Sequence, residues 1–204
     1  MASTNTIRDN KCTIVGMLED GVNSLNQHAL DRLKSADVVI GTPRFLGAVQ
    51  SLLKNTAEIK DFSGQLMKVP EWIDAELLEN KQVVVVATGD PLCHGIGSFL
   101  NKKLGADKLH IIPNVGMFQV AFSRLGIPWQ SVKISSVHAK DMGEWTEATS
   151  LNRAAHGMFS LLKDCQNQDL IACYTSPENS ASRIASMLKV EDMKDEFELL
   201  IASH

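Results

Sequence analysis

The residues best suited to chemistry are Gly89, Asp90 and Pro91, which come soon after a run of four valines. Glycine lets a ligand approach the backbone closely because it has no side chain. The Asp90 carboxylate can accept hydrogen bonds from a polar ligand, and Pro91 stiffens the turn. These residue types predict a loop that binds a small molecule, although glycine, aspartate and proline are also the commonest residues of ordinary turns.

A second loop, Pro113 to Met117, follows the apolar segment Leu109 to Ile112 and precedes another helical pattern. Parallel strands present their carboxyl ends at one edge of a sheet, and ligands of open α/β sheets bind at that edge. We therefore expect Asn114 and its neighbours to lie beside Asp90. Two adjacent loops of this kind indicate a binding site more strongly than either loop alone.

The strand before Asp90 is the element that must position it. Val83 to Val86 are β-branched and show no alternation, which is typical of a parallel strand covered by helices on both faces. Beyond the loop, Ile96, Leu100 and Leu104 fall at helical spacing. The loop is thus predicted to join the carboxyl end of a central strand to the start of a helix.

Strand and helix patterns alternate along the rest of the chain, which predicts an α/β fold. Asn23 or Ser24 is expected to cap the first helix, and Pro70 to stand in the first turn of the third. The other predicted strands are Cys12–Gly16, Val38–Ile40, Leu109–Ile112, Val132–Val137, Leu170–Tyr174 and Phe197–Ala202. The remaining predicted helices carry the apolar sets Leu25, Ala29, Leu33 and Ala36; Phe45, Leu46, Val49, Leu52 and Leu53; Ile73 and Leu77; Phe118, Ala121, Phe122 and Leu125; Leu151, Ala155, Met158 and Leu162; and Ala181, Ile184, Ala185 and Leu188.

A polar stretch divides the chain into two expected lobes. Residues 138–150 lack a clear period, which predicts an exposed loop that enters a second lobe. We therefore expect an N-terminal lobe of residues 1–137, which carries the Gly89 loop, and a C-terminal lobe of residues 138–204.

Composition excludes several classes of protein. The chain has 204 residues, 44% of them apolar, and a formal net charge of −4, which weighs against a nucleic-acid-binding protein with a broad basic surface. Neither a signal peptide nor an apolar run long enough to cross a bilayer is visible, so we expect a cytoplasmic protein with no membrane partner. The four cysteines form no C-x-x-C pair, which argues against a zinc site and favours reduced thiols.

Several separated segments, in order along the chain, resemble a known family. They are Ala36–Gly41 with Arg44 and Leu46; Ala87–Leu92 with Gly95–Ser98; Ile112–Val115 with Gln119, Ala121–Phe122, Arg124–Gly126 and Pro128–Gln130; and Ser136–His138. This set is similar to the tetrapyrrole (corrin/porphyrin) methyltransferases, and most similar to their precorrin-6Y or cobalt-precorrin-7 C5-methyltransferase branch. The match spans most of the chain.

The resemblance implies a tetrapyrrole methylase fold, with two α/β lobes and the methyl donor S-adenosylmethionine in the cleft between them. It further implies a homodimer of cobalamin biosynthesis that methylates C5 of precorrin-7, or of its cobalt form, to give precorrin-8. The C15-methylating decarboxylase would then be a separate protein. Because the donor supplies the reactive group, we expect no catalytic triad, no metal and no obligatory general base.

Site residues follow from the loops and the resemblance together. The tetrapyrrole is fringed with carboxylates, so cationic groups should surround it. The residues expected to hold the donor are Met17, Gly89, Asp90, Pro91, Cys93, Asn114, Gly116, Met117, Tyr174 and Thr175. Those expected to bind the tetrapyrrole are Arg44, His94, His138 and Lys140, although for Arg44 and Lys140 an ordinary solvated surface charge, and for His138 a hydrogen-bonded loop histidine, is an equally good interpretation.

The sequence also differs from the family at the loops. Leu18 and Glu19 stand where the family has glycine and proline, and Gly116 and Met117 stand where it has small hydroxyl residues. The chain is also expected to lack the closing hairpin of its second lobe. Two alternatives therefore remain: a non-catalytic or degenerate homologue that binds the donor or a tetrapyrrole, or a methyltransferase of the same superfamily that acts on another acceptor.

Overall fold

The computed structural model describes residues 10–138, 141 and 143–202. The chain divides into two compact units between Val120 and Ala121. Each unit is described by itself below. The lobe boundary predicted between residues 137 and 138 stays a prediction.

The first unit is built on a five-stranded sheet in which all strands run parallel, in the order β3-β2-β4-β1-β5. This confirms the predicted α/β class. The strands are β1 Cys12–Met17, β2 Val38–Gly41, β3 Glu58–Asp61, β4 Val83–Thr88 and β5 Leu109–Ile112. The helices are α1 Gln27–Ser35, α2 Pro43–Val49, α3 Val69–Leu78, α4 Ile96–Leu104 and α5 Met117–Leu125, which crosses the division between the units. Short 3-10 turns occupy Gly21–Ser24, Gln50–Leu52, Leu66–Lys68 and Ala106–Lys108.

Strand β4 is buried on both faces, as its unbroken valine run predicts. Val84 and Val86 pack into the apolar cluster formed with α1 and α2, whereas Val83 and Val85 pack into the cluster formed with α3 and α4. Helices therefore cover both faces of the sheet, and this explains the absence of alternation.

Strands β1 and β4 are neighbours in the sheet, but the chain continues from them toward opposite edges of the sheet, from β1 to β2 and from β4 to β5. It leaves β1 through α1, whose Ala29 and Leu33 lie in the first cluster, and it leaves β4 through α4, whose Leu100 lies in the second. The two loops after these strands thus run to opposite faces of the sheet. Ligands of open α/β sheets bind at such a switch point.

One local prediction in the first unit was wrong, and one strand was missed. Helix α1 is capped by Asn26, whose Oδ1 accepts a hydrogen bond from Ala29 N at 2.9 Å, while Asn23 and Ser24 lie in the preceding 3-10 turn. Strand β3, Glu58–Asp61, is not among the predicted strands. It is an edge strand with mostly exposed side chains, so its sequence carries no apolar pattern.

The second unit contains a two-stranded parallel sheet, β6 Lys133–Ser136 with β7 Ile171–Tyr174. Its helices are α6 Glu147–Leu151, α7 Phe159–Cys165 and α8 Ala181–Val190, with a 3-10 turn at Arg153–Ala155. Leu151 and Leu162 were predicted to lie on a single helix, but Leu151 belongs to α6 and Leu162 to α7. The break falls at Asn152, whose φ of −129° and ψ of 41° are not helical, and Leu151 is 91% exposed.

The strand predicted over 197–202 was also wrong, because those residues form no strand. Within the described residues β6 and β7 pair only with each other, and residues 197–202 take part in no ladder. Leu200 and Ile201 are accordingly 63% and 72% exposed. Among the helices described, none combines the length and the apolar character needed to cross a membrane.

Candidate functional site

Three loops meet at the carboxyl edge of the first unit's sheet, namely those that follow β1, β4 and β5. Gly89 N donates a hydrogen bond to Met17 O at 2.9 Å, and Gly89 O accepts one from Asn114 N at 3.2 Å. The loops of β4 and β5 therefore do lie side by side, as predicted. They meet at the switch point between β1 and β4.

Gly16 and Gly89 are required at this junction because backbone atoms of the neighbouring loops pack directly against them. A Cβ atom on Gly16 would lie 1.9 Å from Gly89 O and 2.8 Å from Asn114 N. Gly89 itself adopts a positive φ of 52°, and a Cβ atom there would lie 3.0 Å from Val115 O. The missing side chains thus make room for neighbouring loops, and the close approach of a ligand to the Gly89 backbone stays a prediction.

Asn114 is hydrogen-bonded to parts of the chain far away in sequence. Its Nδ2 donates to Gly16 O at 3.2 Å and to Ser24 O at 2.8 Å, and its Oδ1 accepts from Val115 N at 2.8 Å. The Ser24 hydroxyl in turn accepts from Leu18 N at 3.0 Å. Sequence reasoning missed Ser24 as a site residue, because a serine before a helix first suggests a cap.

Asp90 forms the turn that opens the β4 loop. Its Oδ1 accepts a hydrogen bond from Leu92 N at 2.9 Å, and its carbonyl accepts one from Cys93 N at 3.1 Å. Within the described residues no protein group hydrogen-bonds to its second carboxylate oxygen, Oδ2. A Cβ atom on Gly116 would lie 4.0 Å from the Asp90 Cβ, so the β5 loop flanks this carboxylate. One acceptor oxygen is thus left for a ligand.

The other predicted donor-binding residues lie in different surroundings. Met17 is 1% exposed, and its side chain packs in the core, so little of this residue is open to a ligand. Cys93 is half-buried on the β4 loop, and Pro91 on the same loop is buried. Gly116 is buried, and its N–H donates to Gln119 Oε1 at 2.7 Å, so Gln119 is a further residue that holds the β5 loop in place. Met117, the first residue of α5, is half-buried.

Two predicted cationic residues belong to the first unit. Arg44 forms an ion pair with Glu19 at 3.1 Å, and both side chains are largely exposed, at 63% and 40%. Its charge is therefore balanced by the loop that follows β1. His94 is exposed on the same loop as Asp90 and has a positive φ of 56°.

The second unit has a corresponding edge at the ends of β6 and β7. His138 Nδ1 lies 3.1 Å from Thr175 O, and Val137 N donates to Tyr174 O at 2.8 Å, which brings three of the predicted site residues together. The buried Asn179 also joins these loops, because its Nδ2 donates to Val137 O at 2.8 Å.

Sequence reasoning missed Asn179, because a loop asparagine carries no local signal of what it will bond. Lys140, the fourth predicted cation, lies outside the described residues.

Comparison with known proteins identifies similar sequences. A family model described as tetrapyrrole (corrin/porphyrin) methylases matches residues 11–203. A precorrin-6Y C(5,15)-methyltransferase [decarboxylating] of Mycobacterium tuberculosis is 31% identical over 113 residues, which cover 55% of this chain and 28% of that protein. A cobalt-precorrin-7 C(5)-methyltransferase of Salmonella typhimurium is 30% identical over 128 residues, which cover 63% and 61%. The chain thus spans less than two thirds of either relative.

Solved structures show the same fold. A cobalt precorrin-4 methyltransferase of cobalamin biosynthesis superposes with a TM-score of 0.61 at 21% identity, over 92% of this chain and 76% of that one. A precorrin-6Y methylase from Archaeoglobus fulgidus superposes with a TM-score of 0.51 at 22% identity, over 64% and 66%.

Proposed function

Because the chain belongs to the family of tetrapyrrole (corrin/porphyrin) methylases, we propose that it is an S-adenosylmethionine-dependent methyltransferase of cobalamin biosynthesis. Its acceptor is C5 of precorrin-7 or of cobalt-precorrin-7, and its product is precorrin-8. The two curated relatives, whose names specify C5 methylation, support this choice of acceptor. The homodimer and the cytoplasmic location expected from the resemblance remain part of the proposal.

The observation that carries this proposal is the junction of three loops around Asp90 at the switch point. The donor offers ribose hydroxyls, an ammonium group and an adenine amine, all of which donate hydrogen bonds. Asp90 is half-buried, and its Oδ2 is an acceptor that the protein leaves unused in the described residues. Leu92 and Val115, which are 50% and 45% exposed, supply apolar surface on the same two loops. These groups fit the donor.

The residues of this chain act by positioning. When bound, S-adenosylmethionine supplies a methyl group on an electrophilic sulfonium, so no side chain needs to act as acid or base. Asp90 holds the donor through its free carboxylate oxygen, while the backbone near Gly89 and Gly116 fixes the width of the site. Among the residues predicted to bind the acceptor, His94 is the one on the same loop as Asp90.

Calorimetric titration with S-adenosylhomocysteine tests the donor site. We expect binding with a stoichiometry near one, weakened about tenfold or more by Asp90→Asn, because a hydrogen bond to a charged group contributes about 1.5–3 kcal/mol. The substituted amide keeps Oδ1 for Leu92 N but replaces the free acceptor oxygen by a donor. Asp107→Asn removes the same charge from an exposed position before β5, at the opposite end of the strand, and should leave binding unchanged.

The same titration separates the alternatives. A folded protein that does not bind S-adenosylhomocysteine, or an Asp90→Asn variant that binds as tightly as the parent, would refute the site as proposed. Incubation with S-adenosylmethionine and the tetrapyrrole should release S-adenosylhomocysteine repeatedly. Donor binding without such turnover would favour the non-catalytic homologue.

A further inference from the structure

Asn114 occupies a particular place in the loop junction. Its backbone N–H reaches the β4 loop at Gly89 O, and its side chain reaches the loop after β1 at Ser24 O and the end of β1 at Gly16 O. The side-chain bonds span 90 and 98 residues of sequence. This residue therefore bonds to the segments that follow both strands of the switch point.

The orientation of the Asn114 amide is fixed by its neighbours. Two main-chain carbonyls lie on one side and accept from Nδ2, while the N–H of Val115 lies on the other side and donates to Oδ1. Both hydrogens of the amide nitrogen are thus used by the protein. The reversed orientation would place an oxygen against two carbonyl oxygens.

We propose that Asn114 is a positioning residue that holds the three loops together and does not use its side-chain amide to contact the donor. This inference rests on the proposed function, because the site it positions is the donor site. Both of its acceptors are main-chain carbonyls. A second substitution, which changes only a side chain, therefore cannot restore the hydrogen bonds lost when Asn114 is replaced. The amide hydrogens, more than the size of the side chain, are what the junction requires.

An aspartate at this position provides a test that is specific to hydrogen-bond donation. At neutral pH the carboxylate of Asn114→Asp would face two carbonyl oxygens with no hydrogen to donate. Protonation restores one donor, and because the neutral form is the one hydrogen-bonded, the pKa of this carboxyl is expected to lie above its ordinary value. Donor affinity in Asn114→Asp should therefore rise as the pH falls, whereas in Asn114→Ala it should not.

Calorimetry with S-adenosylhomocysteine measures this behaviour. At pH 7.5 both variants should bind about tenfold or more weakly than the parent, as expected when two partly buried hydrogen bonds are lost. At pH 5 the aspartate variant should regain several-fold in affinity, relative to the parent at the same pH, while the alanine variant stays weak. An aspartate variant that follows the alanine variant at both pH values would overturn the inference.

Amide hydrogen exchange without ligand separates this inference from the proposed function. Residues 18–25 and 89–95 should exchange faster in both variants than in the parent, while α3 serves as the internal control and should be unchanged. Unchanged exchange in the loops would refute the role of Asn114 whatever the donor affinity. Faster exchange in a protein whose parent does not bind S-adenosylhomocysteine would support the role of Asn114 and refute the donor site. The near-isosteric aspartate variant keeps the test available if the alanine variant does not fold.

Discussion

Substitution of Gly16 by alanine should destabilise the first unit by an amount that the structure allows us to estimate. The added methyl group would lie 1.9 Å from Gly89 O and 2.8 Å from Asn114 N, and both are backbone atoms that no rotamer change can move. Overpacking of this kind costs about 1–3 kcal/mol. Displacement of Gly89 also breaks its hydrogen bond from Asn114 N, which contributes about 1 kcal/mol. We therefore expect a loss of about 2–4 kcal/mol in the free energy of unfolding.

Differential scanning calorimetry should show this loss as a fall in Tm of about 4–16 °C. Faster amide exchange in β4 would assign the effect to the first unit. The matched control is Gly47→Ala in α2, where the added methyl group would meet nothing within 4 Å apart from its chain neighbours and the backbone of its own helix. That change should stabilise the protein by about 0.5–1 kcal/mol, since alanine favours a helix interior over glycine. Equal Tm values for Gly16→Ala and the parent would refute the close packing of the loops on β1.

Two further predictions concern charged residues. Glu19→Gln should free Arg44 to bind a carboxylate of the proposed tetrapyrrole and lower its KM about two- to fivefold, in keeping with an exposed ion pair of about 0.2–1 kcal/mol; an unchanged or higher KM would argue against Arg44 as a substrate contact. Glu76 is buried and accepts hydrogen bonds from Lys60 and from Lys81, the latter at 2.7 Å, and these bonds lower the pKa of its carboxyl below 4.5. Its contribution is therefore present above pH 4.5 and is lost as the pH falls through the lowered pKa, so Glu76→Gln should lose about 1–3 kcal/mol in urea unfolding at pH 7 and less at pH 3. An equal loss at both pH values would contradict this explanation.

The local pattern of apolar residues was sufficient to predict a strand or a helix wherever that element is buried. The valine run of β4 predicted a doubly covered parallel strand, and the spacing of Ile96, Leu100 and Leu104 predicted α4. The same reasoning missed β3, because an exposed edge strand shows no apolar pattern. It wrongly predicted a strand at 197–202, because an apolar segment forms a strand only where a neighbour completes its ladder.

For the candidate site too, the sequence predicted some features and missed others. Gly89, Asp90 and Asn114 could be chosen from sequence, since their types and their positions after buried strands suggest a ligand-binding edge. The groups that these residues contact in the structure could not be predicted from the sequence. Met17 was expected to line the site but lies in the core, because β1 extends one residue further than its apolar pattern indicated.

The sequence by itself determined the buried strands β1, β2, β4 and β5 and the loops at their carboxyl ends, because the burial of a side chain depends on the local structure of its own segment. Only the tertiary structure decided that β1 lies between β4 and β5, which places Gly16 against Gly89 and Asn114. These contacts join residues that are far apart in sequence, and they depend on the order of strands in the sheet. The space left by each glycine and the hydrogen bonds of Asn114 are therefore properties of the assembled sheet edge.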